Sequence, residues 1–181
     1  MKEALFSLAQ NMPPELGAAF LAALPITELR GSIPFAMWVM GLPWWKAFLF
    51  SFLGNLVPVP LLLWGLEPLH RLVGRTRWGG KLFAWLYRKA IEKGRRIEEL
   101  EELGLFLFVA VPLPGTGAWT GSLVAAVLGL KFWRSALAIT LGVFTAGVFI
   151  TALSALGLWG ALLALAFLLA VLGLRYWKRI T

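Results

Sequence analysis

The chain has 181 residues, of which 60% are hydrophobic and 14% charged, and its mean hydropathy is +0.80. This composition excludes an ordinary water-soluble domain and indicates an integral membrane protein. The formal net charge of +8 indicates membrane orientation and not nucleic-acid binding, because the basic residues cluster between the apolar segments. The chain has no cysteine, no aspartate and a single histidine, His70. We therefore expect no enzyme active site, metal or cofactor.

The first apolar segment, residues 16–40, is interrupted by polar residues and prolines. Thr27, Glu28, Arg30 and Ser32 lie in its middle, although a charge at membrane depth costs about 2.5 to 3.5 kcal/mol on insertion scales. Two full crossings need about 40 residues, so the segment is too short for a pair of spanning helices. Arms of about 10 to 12 residues reach about half of the hydrocarbon thickness. We predict a re-entrant hairpin with these residues at its tip.

Two interpretations of Glu28 and Arg30 remain open from the sequence. The first is a structural ion pair that pins the hairpin, which is a common role of buried charges. The second is a functional site in which Arg30 binds an anionic headgroup or phosphate and Glu28 takes up a proton. Two broken apolar segments in matching halves are typical of transporter sites, which favours the second.

An uncharged stretch, residues 47–66, predicts the first full transmembrane helix. Its strongly polar residue, Asn55, is expected to bond between helices or to line a cavity. Residues 67–102 then hold nine of the 17 Lys and Arg residues. The positive-inside rule places this segment in the cytoplasm, and its near-helical apolar spacing predicts an amphipathic helix. A soluble amphipathic linker is the alternative.

A second broken segment, residues 103–130, predicts a second re-entrant hairpin. Its tip supplies the hydroxyls of Thr116, Thr120 and Ser122, and Trp119 is a candidate wall for a ligand. A helix that begins near Ala118 would present free N–H groups to an anion. Irregular backbone at membrane depth needs protein or water as a partner, so we expect the two tips to be buried together.

Residues 135–156 and 158–174 predict two further full spans, which return the C-terminus to the cytoplasm. Residues 41–49 and 129–137 match at an offset of 88 at their Gly-Leu, Trp and Lys/Arg positions, and Gly54 then meets Gly142. We therefore predict one membrane domain, residues 1–181, with repeat 1 at about 15–66 and repeat 2 at about 103–156. The copies enter from opposite sides, so the fold class is all-α with an inverted repeat and three full transmembrane helices.

The two tips carry a family resemblance. Residues 28–34, ELRGSIP, and residues 112–121, PLPGTGAWTG, resemble the small multi-drug export protein family, which is in turn similar to the DedA/VTT membrane proteins. The resemblance implies an inner-membrane protein with two re-entrant hairpins. It also implies proton-coupled movement of lipid carriers or lipid scrambling, with Glu28 and Arg30 as the hairpin charges. The second tip lacks the charged residue that many DedA proteins carry there.

We therefore expect a small transporter or lipid translocase, proton-coupled through Glu28, that moves an anionic amphiphile such as a lipid phosphate. Its substrate would bind between the tips. The partners are membrane lipids, and a chain with three spans is small for an enclosed pathway, which favours a homodimer. The expected substrate-binding residues are Glu28, Arg30, Thr27, Ser32, Thr116, Trp119, Thr120, Ser122 and Asn55. The alternative is a membrane scaffold or envelope-homeostasis protein in which the tips are structural plugs.

Overall fold

The computed structural model describes residues 2–73, 101–113 and 115–160, together with five positions between 162 and 169. The chain is all-helical, with no strand within these ranges. Eight helices are bounded in the described residues: α1 (Lys2–Gln10), α2 (Pro14–Ala23), α3 (Glu28–Trp38), α4 (Trp44–Leu56), α5 (Pro58–Val73), α6 (Glu101–Ala110), α7 (Ala118–Val127) and α8 (Phe132–Ala155). Most of the predicted cytoplasmic segment, residues 67–102, lies outside the described residues, as does much of the predicted final span, 158–174.

Two helical stretches in the described residues are long and apolar enough to cross a membrane. They are Trp44–Gly65, which we call the first span, and Phe132–Ala155, the second span. Their 22 and 24 residues correspond to about 33 and 36 Å of helix. Each begins three residues before its predicted start, because Pro43 and Lys131 provide extended N-caps. The protein is thus a membrane protein, as its composition predicts.

A helical hairpin precedes the first span. Its arms, α2 and α3, have 10 and 11 residues, or about 15 and 16 Å of helix. Lys46 Nζ donates to Glu15 Oε1 at 2.9 Å, so the start of α2 lies beside the start of the first span. Residues 39–43 return α3 to that same end. The connection between the arms, the first tip (residues 24–30), therefore lies about halfway along the span.

A second hairpin precedes the second span in the same way. Its arms are α6 and α7, and Arg134 Nη1 donates to Glu102 Oε1 at 3.2 Å, which joins the start of α6 to the start of α8. The connection between the arms is the second tip, residues 111–117, which is irregular at the described positions 111–113 and 115–117. Each half of the molecule thus has two short helices, a tip and a span, joined at the base by an ion pair.

The two halves agree in detail. The spans begin at Trp44 and Phe132, 88 positions apart. Three residues before each start lies a glycine with a positive φ angle, 70° at Gly41 and 67° at Gly129. A Cβ on Gly54 would lie 2.1 Å from Ala19 O on α2, and a Cβ on Gly142 would lie 3.0 Å from Phe106 O on α6. The equivalent glycine of each span therefore lets the first arm of its hairpin approach closely.

Contacts between the halves bring the two spans together in opposite directions. Trp38 Nε1, at the end of α3, donates to Ser154 O near the end of α8 at 3.1 Å. Phe48, near the start of the first span, stacks edge-on against Phe144 at 5.5 Å between ring centroids. The start of the first span hence lies toward the end of the second. The second arm of each hairpin packs on the span of the other half, α3 on α8 and α7 on α5.

Helix α1 is an element that the sequence analysis did not predict. It packs on α2, where a Cβ on Gly17 would lie 2.4 Å from Ala9 O, and Phe6 contacts Phe35 with 4.7 Å between ring centroids. Nine residues are too few to give a spanning signal. The helix is stabilised by this contact with the end of the first hairpin that lies away from its tip.

Candidate functional site

The two tips are in direct contact, and Arg30 makes the largest share of that contact. Its Nη1 donates to Leu113 O at 2.5 Å, and its Nη2 donates to Thr116 Oγ1 at 3.1 Å and to Val111 O at 3.4 Å. These carbonyls lie one and three residues beyond the last residue of α6, Ala110. A cation beside a helix C-terminus is favourable because it faces the negative end of the helix dipole.

Glu28 occupies the opposite kind of position, at the N-terminus of α7. Trp119, the second residue of α7, presents its backbone N–H to this carboxylate. A Cβ placed on Gly117, the N-cap, would lie 1.6 Å from Glu28 Oε2, so the carboxylate rests directly on that glycine. A carboxylate is stabilised at a helix N-terminus by free N–H groups and by the helix dipole.

Glu28 and Arg30 also face each other. The distance from Arg30 Nη1 to Glu28 Oε2 is 3.9 Å. The Arg30 side chain is 18% exposed and the Glu28 side chain is 11% exposed. Glu28 is the first residue of α3 and has a left-handed φ of 47°, which side chains other than glycine rarely adopt. The site therefore combines an ion pair, an unusual backbone conformation and two helix ends of opposite polarity.

Two further side chains complete the tips. The indole of Trp119 donates to Ala23 O at 3.0 Å, and the hydroxyl of Thr27 donates to Leu21 O. Both acceptors belong to the last turn of α2, where carbonyls have fewer intrahelical donors than in the helix interior. Trp119, predicted to wall a ligand, thus joins the second tip to the first hairpin.

We call the contact region of Glu28, Arg30, Thr116, Gly117 and Trp119 the tip junction. Each tip supplies what the other lacks: the first brings charges, and the second brings backbone N–H and C=O groups. Thr116 Oγ1 lies 2.7 Å from Val111 O and 2.8 Å from Leu113 O, so it holds the same carbonyls that Arg30 binds. The junction thus gives the carbonyls after α6 side-chain partners within the protein.

The remaining predicted residues lie in or beside the hairpins. Ser32 is fully buried between α2 and α4, where its hydroxyl donates to Ala18 O at 2.5 Å and pairs with Ser51 Oγ at 2.8 Å. Thr120 is partly buried on α7. Asn55 and Ser122 are fully buried, and their side chains have no hydrogen-bond partner among the described residues.

Some members of the junction could be found from the sequence and others could not. The glycines of the second tip predict close backbone approach, and Gly117 provides it. The carbonyls of Val111, Leu113 and Ala23 were missed, because every residue has a carbonyl and nothing in the sequence marks which ones will meet a side chain from another helix. Within the described part of the chain, no group of three or more acidic or histidine side chains could hold a metal ion.

Comparison with known proteins gives one family. The family model described as "Putative small multi-drug export protein" matches residues 28–149. The match begins at Glu28 and contains the two charged residues of the first tip, the second tip, the first span and most of the second span. No curated protein and no solved structure matches the chain.

Proposed function

Since this chain belongs to the small multi-drug export protein family, we propose that it is a membrane transporter whose gate is the tip junction. We propose further that its substrate is an anionic amphiphile such as a lipid phosphate, moved with the help of a proton. The family description supports export by a small membrane protein in general. The substrate class and the role of the proton come from the chemistry of the junction.

The observation that carries this proposal is the way in which Glu28 and Arg30 are held. Their partners are each other and the backbone ends of two broken helices, so a ligand that offers equivalent groups can exchange with either side chain. A phosphate or carboxylate on a substrate matches the guanidinium of Arg30 and the N-terminus of α7. These two positive groups lie on either side of the Glu28 carboxylate, which acts as a built-in anion.

A proton on Glu28 would start the exchange. Neutral Glu28 no longer balances Arg30 or the N-terminus of α7, and a substrate anion then restores the balance. When the anion leaves, Glu28 must lose its proton to take the same place again. Entry of the substrate and uptake of the proton are therefore coupled through one site.

We also propose that the two hairpins are re-entrant and that the halves form an inverted repeat. The 88-residue offset, the equivalent base ion pairs and the opposite directions of the spans support this arrangement. The charge distribution supports a cytoplasmic location for residues 67–102 and for the C-terminus. Three full spans, an inner-membrane location, a relationship to the DedA/VTT proteins and a homodimer belong to the same proposal.

Transport is tested in vesicles that contain the purified protein and a fluorescent lipid phosphate, with and without a proton gradient. Glu28→Gln keeps the size of the side chain but cannot change charge, so we expect it to abolish the dependence on the gradient. Arg30→Lys should weaken substrate binding, because the two-pronged guanidinium is lost. Glu15→Gln and Arg134→Lys are matched controls at the bases of the hairpins and should transport normally. Undiminished gradient-driven transport by Glu28→Gln would contradict the proton role.

The topology is tested with single cysteines, since the chain has none of its own. Pro43 and Lys131 are the N-caps of the two spans and lie 88 positions apart. An inverted repeat predicts that an impermeant thiol reagent labels Pro43→Cys from outside the cell and Lys131→Cys from the cytoplasm. Labelling of both from one side would exclude it.

A scaffold role is the second candidate, and one observation favours it. Arg30, Thr116 and Trp119 all find their partners within the protein, as side chains of a permanent structural plug would. The transport assay separates the two functions. A folded parent protein that moves none of several anionic lipids in either direction would support the scaffold.

A further inference from the structure

We propose that a buried water site lies between Asn55 of the first span and Glu28 of the first tip, and that protons reach the Glu28 carboxylate through it. The proton route rests on the proposed transport function, whereas the water site does not. Four features of Asn55 support the proposal: its burial, its position level with Glu28 along the helices, the two prolines that follow it and the polarity of its amide.

Asn55 is the most poorly satisfied side chain in the described core. It is fully buried, and neither Nδ2 nor Oδ1 has a hydrogen-bond partner among the described residues. Burying an amide without hydrogen-bond partners is energetically unfavourable. Buried polar groups of this kind are normally paired through an internal water that makes about three hydrogen bonds.

The helix register places Asn55 level with Glu28. Helices α3 and α4 are antiparallel neighbours, and the hydroxyls of Ser32 and Ser51 meet between them at 2.8 Å. One helical turn toward the tip leads from Ser32 to Glu28 on α3 and from Ser51 to Asn55 on α4. A water bound to Asn55 on this side would therefore be close to the Glu28 carboxylate.

Two prolines follow Asn55 in the first span, which stays helical through Val57 (φ −53°, ψ −48°). Pro58 and Pro60 have no N–H to donate to the carbonyls four residues earlier, those of Gly54 and Leu56. The Gly54 carbonyl instead accepts from Val57 N at 3.3 Å, a long bond. These carbonyls have capacity to accept from a water that itself accepts from Asn55 Nδ2.

The chemistry of the site favours water over an alkali cation. A cation would pair with Asn55 Oδ1 but leave Nδ2 without an acceptor, whereas water can pair with both. Glu28 and Arg30 already balance each other, so an added cation would leave a net charge in a region of low dielectric. Water brings no net charge and can carry a proton to a neighbouring carboxylate.

The groups that face Glu28 are few in the described structure. Arg30 is its charged neighbour, and α7 presents the backbone N–H of Trp119 and the α-carbon of Gly117. On the side of α4 the helix register brings Asn55 toward it, and on the side of α8 Gly147 lies beside Leu29, the residue after Glu28. No other described titratable side chain contacts the carboxylate, so a change in its protonation can be assigned to it.

The test is infrared difference spectroscopy of the full-length protein in nanodiscs, between neutral and acidic buffer. The carbonyl band of protonated Glu28 is identified by its loss in Glu28→Gln. We expect Asn55→Leu to shift this band to higher wavenumber, because the acid loses its water partner, and to slow its exchange in heavy water several-fold. Asn55→Ser leaves space and a hydroxyl for water, so its band should stay near that of the parent.

The control is Thr151→Val, which removes a buried, unpartnered hydroxyl near the far end of the second span and should leave the band unchanged. An unshifted band with normal exchange in Asn55→Leu would overturn the proposal. If Asn55→Leu does not fold, the parent and Asn55→Ser decide the test. The carbonyl band of Glu28 must then shift in heavy water within the mixing time in both proteins. A slow shift in both would overturn the proposal. This readout needs no transport, so the water site and the transport function can fail separately.

Discussion

The two hairpins have the same architecture but opposite chemistry at their tips. The first tip carries Glu28 and Arg30, and the second tip carries hydroxyls and glycines without a charge. The charges of the first tip bind the backbone ends of the second, the Glu28 carboxylate at the N-terminus of α7 and the Arg30 guanidinium after α6. A repeat with identical tips would bring like charges together. The difference between the halves is what allows them to join.

The largest effect should follow from removing the cation of the first tip. Arg30→Met leaves Glu28 buried without its counter-ion, a change that costs about 3 to 5 kcal/mol. The measurement is the free energy of unfolding in micelles. Arg134→Met, at the base of the second hairpin, is the control and should have little effect, because its side chain is 60% exposed.

The double variant Glu28→Gln/Arg30→Met separates a simple ion pair from the tip junction. An isolated pair predicts that the double variant regains the stability of the parent, because no unpaired charge remains. The junction predicts only partial recovery, since the hydrogen bonds from the Arg30 guanidinium to Val111 O and Leu113 O are still lost, although Thr116 continues to pair with both carbonyls. Full recovery of stability would contradict the arrangement of the tips.

A second test compares the equivalent glycines of the two spans. A Cβ on Gly54 would meet the backbone of Ala19, with 2.1 Å to its oxygen and 2.6 Å to its Cα, whereas a Cβ on Gly142 first meets the Val109 side chain at 2.8 Å. Side chains yield more easily than helix backbone, so Gly54→Ala should destabilise more than Gly142→Ala. Overpacking of this kind costs about 1 to 3 kcal/mol. Equal or reversed losses of thermal stability would mean that the first half is not the more tightly packed one.

The spans and the tips could be predicted from the sequence, whereas the partners of the tips could not. Long uncharged segments require helices that cross the membrane, and the Gly-rich second tip places the start of α7 at Ala118, where the structure has it. The 88-residue offset also corresponds to equivalent helix starts. The contact of Arg30 with Leu113, by contrast, joins a side chain to a backbone carbonyl 83 positions away. Such contacts depend on how the helices pack and leave no pattern in the residue types.

The third prediction tests the contact between the tips without changing a charge. In Gly117→Ala the new methyl group would lie 1.6 Å from Glu28 Oε2, so the carboxylate must leave the N-terminus of α7. Losing one charge-assisted hydrogen bond costs about 1.5 to 3 kcal/mol. Gly65→Ala is the matched control, because a Cβ there has no atom within 4 Å, and it should be neutral or slightly stabilising. Equal melting temperatures for the two variants would show that Glu28 can move away freely.

The smallest effects are expected at the base ion pairs, where the two halves should behave alike. The Lys46 ammonium beside Glu15 lowers the pKa of that carboxyl, and backbone hydrogen bonding together with Arg134 lowers the pKa of Glu102. A carboxyl whose pKa is lower in the folded state adds stability above its unfolded value, about 4.5, and this stability is lost as the pH falls through the folded value. Surface ion pairs contribute little, so each loss should be small.

The measurement is the melting temperature of Glu15→Gln, Glu102→Gln and the parent from neutral pH into the acid range. Each variant should melt slightly below the parent at neutral pH, and the difference should shrink as the buffer is acidified, because the parent carboxyls are then neutral as well. Higher salt should reduce the neutral-pH difference in the same way, since exposed pairs are screened. The two variants should follow the same pH dependence, because each carboxylate binds the first turn of its own span. A difference that persists in acid for Glu102→Gln alone would mean that the base of the second hairpin is held by contacts with no equivalent in the first.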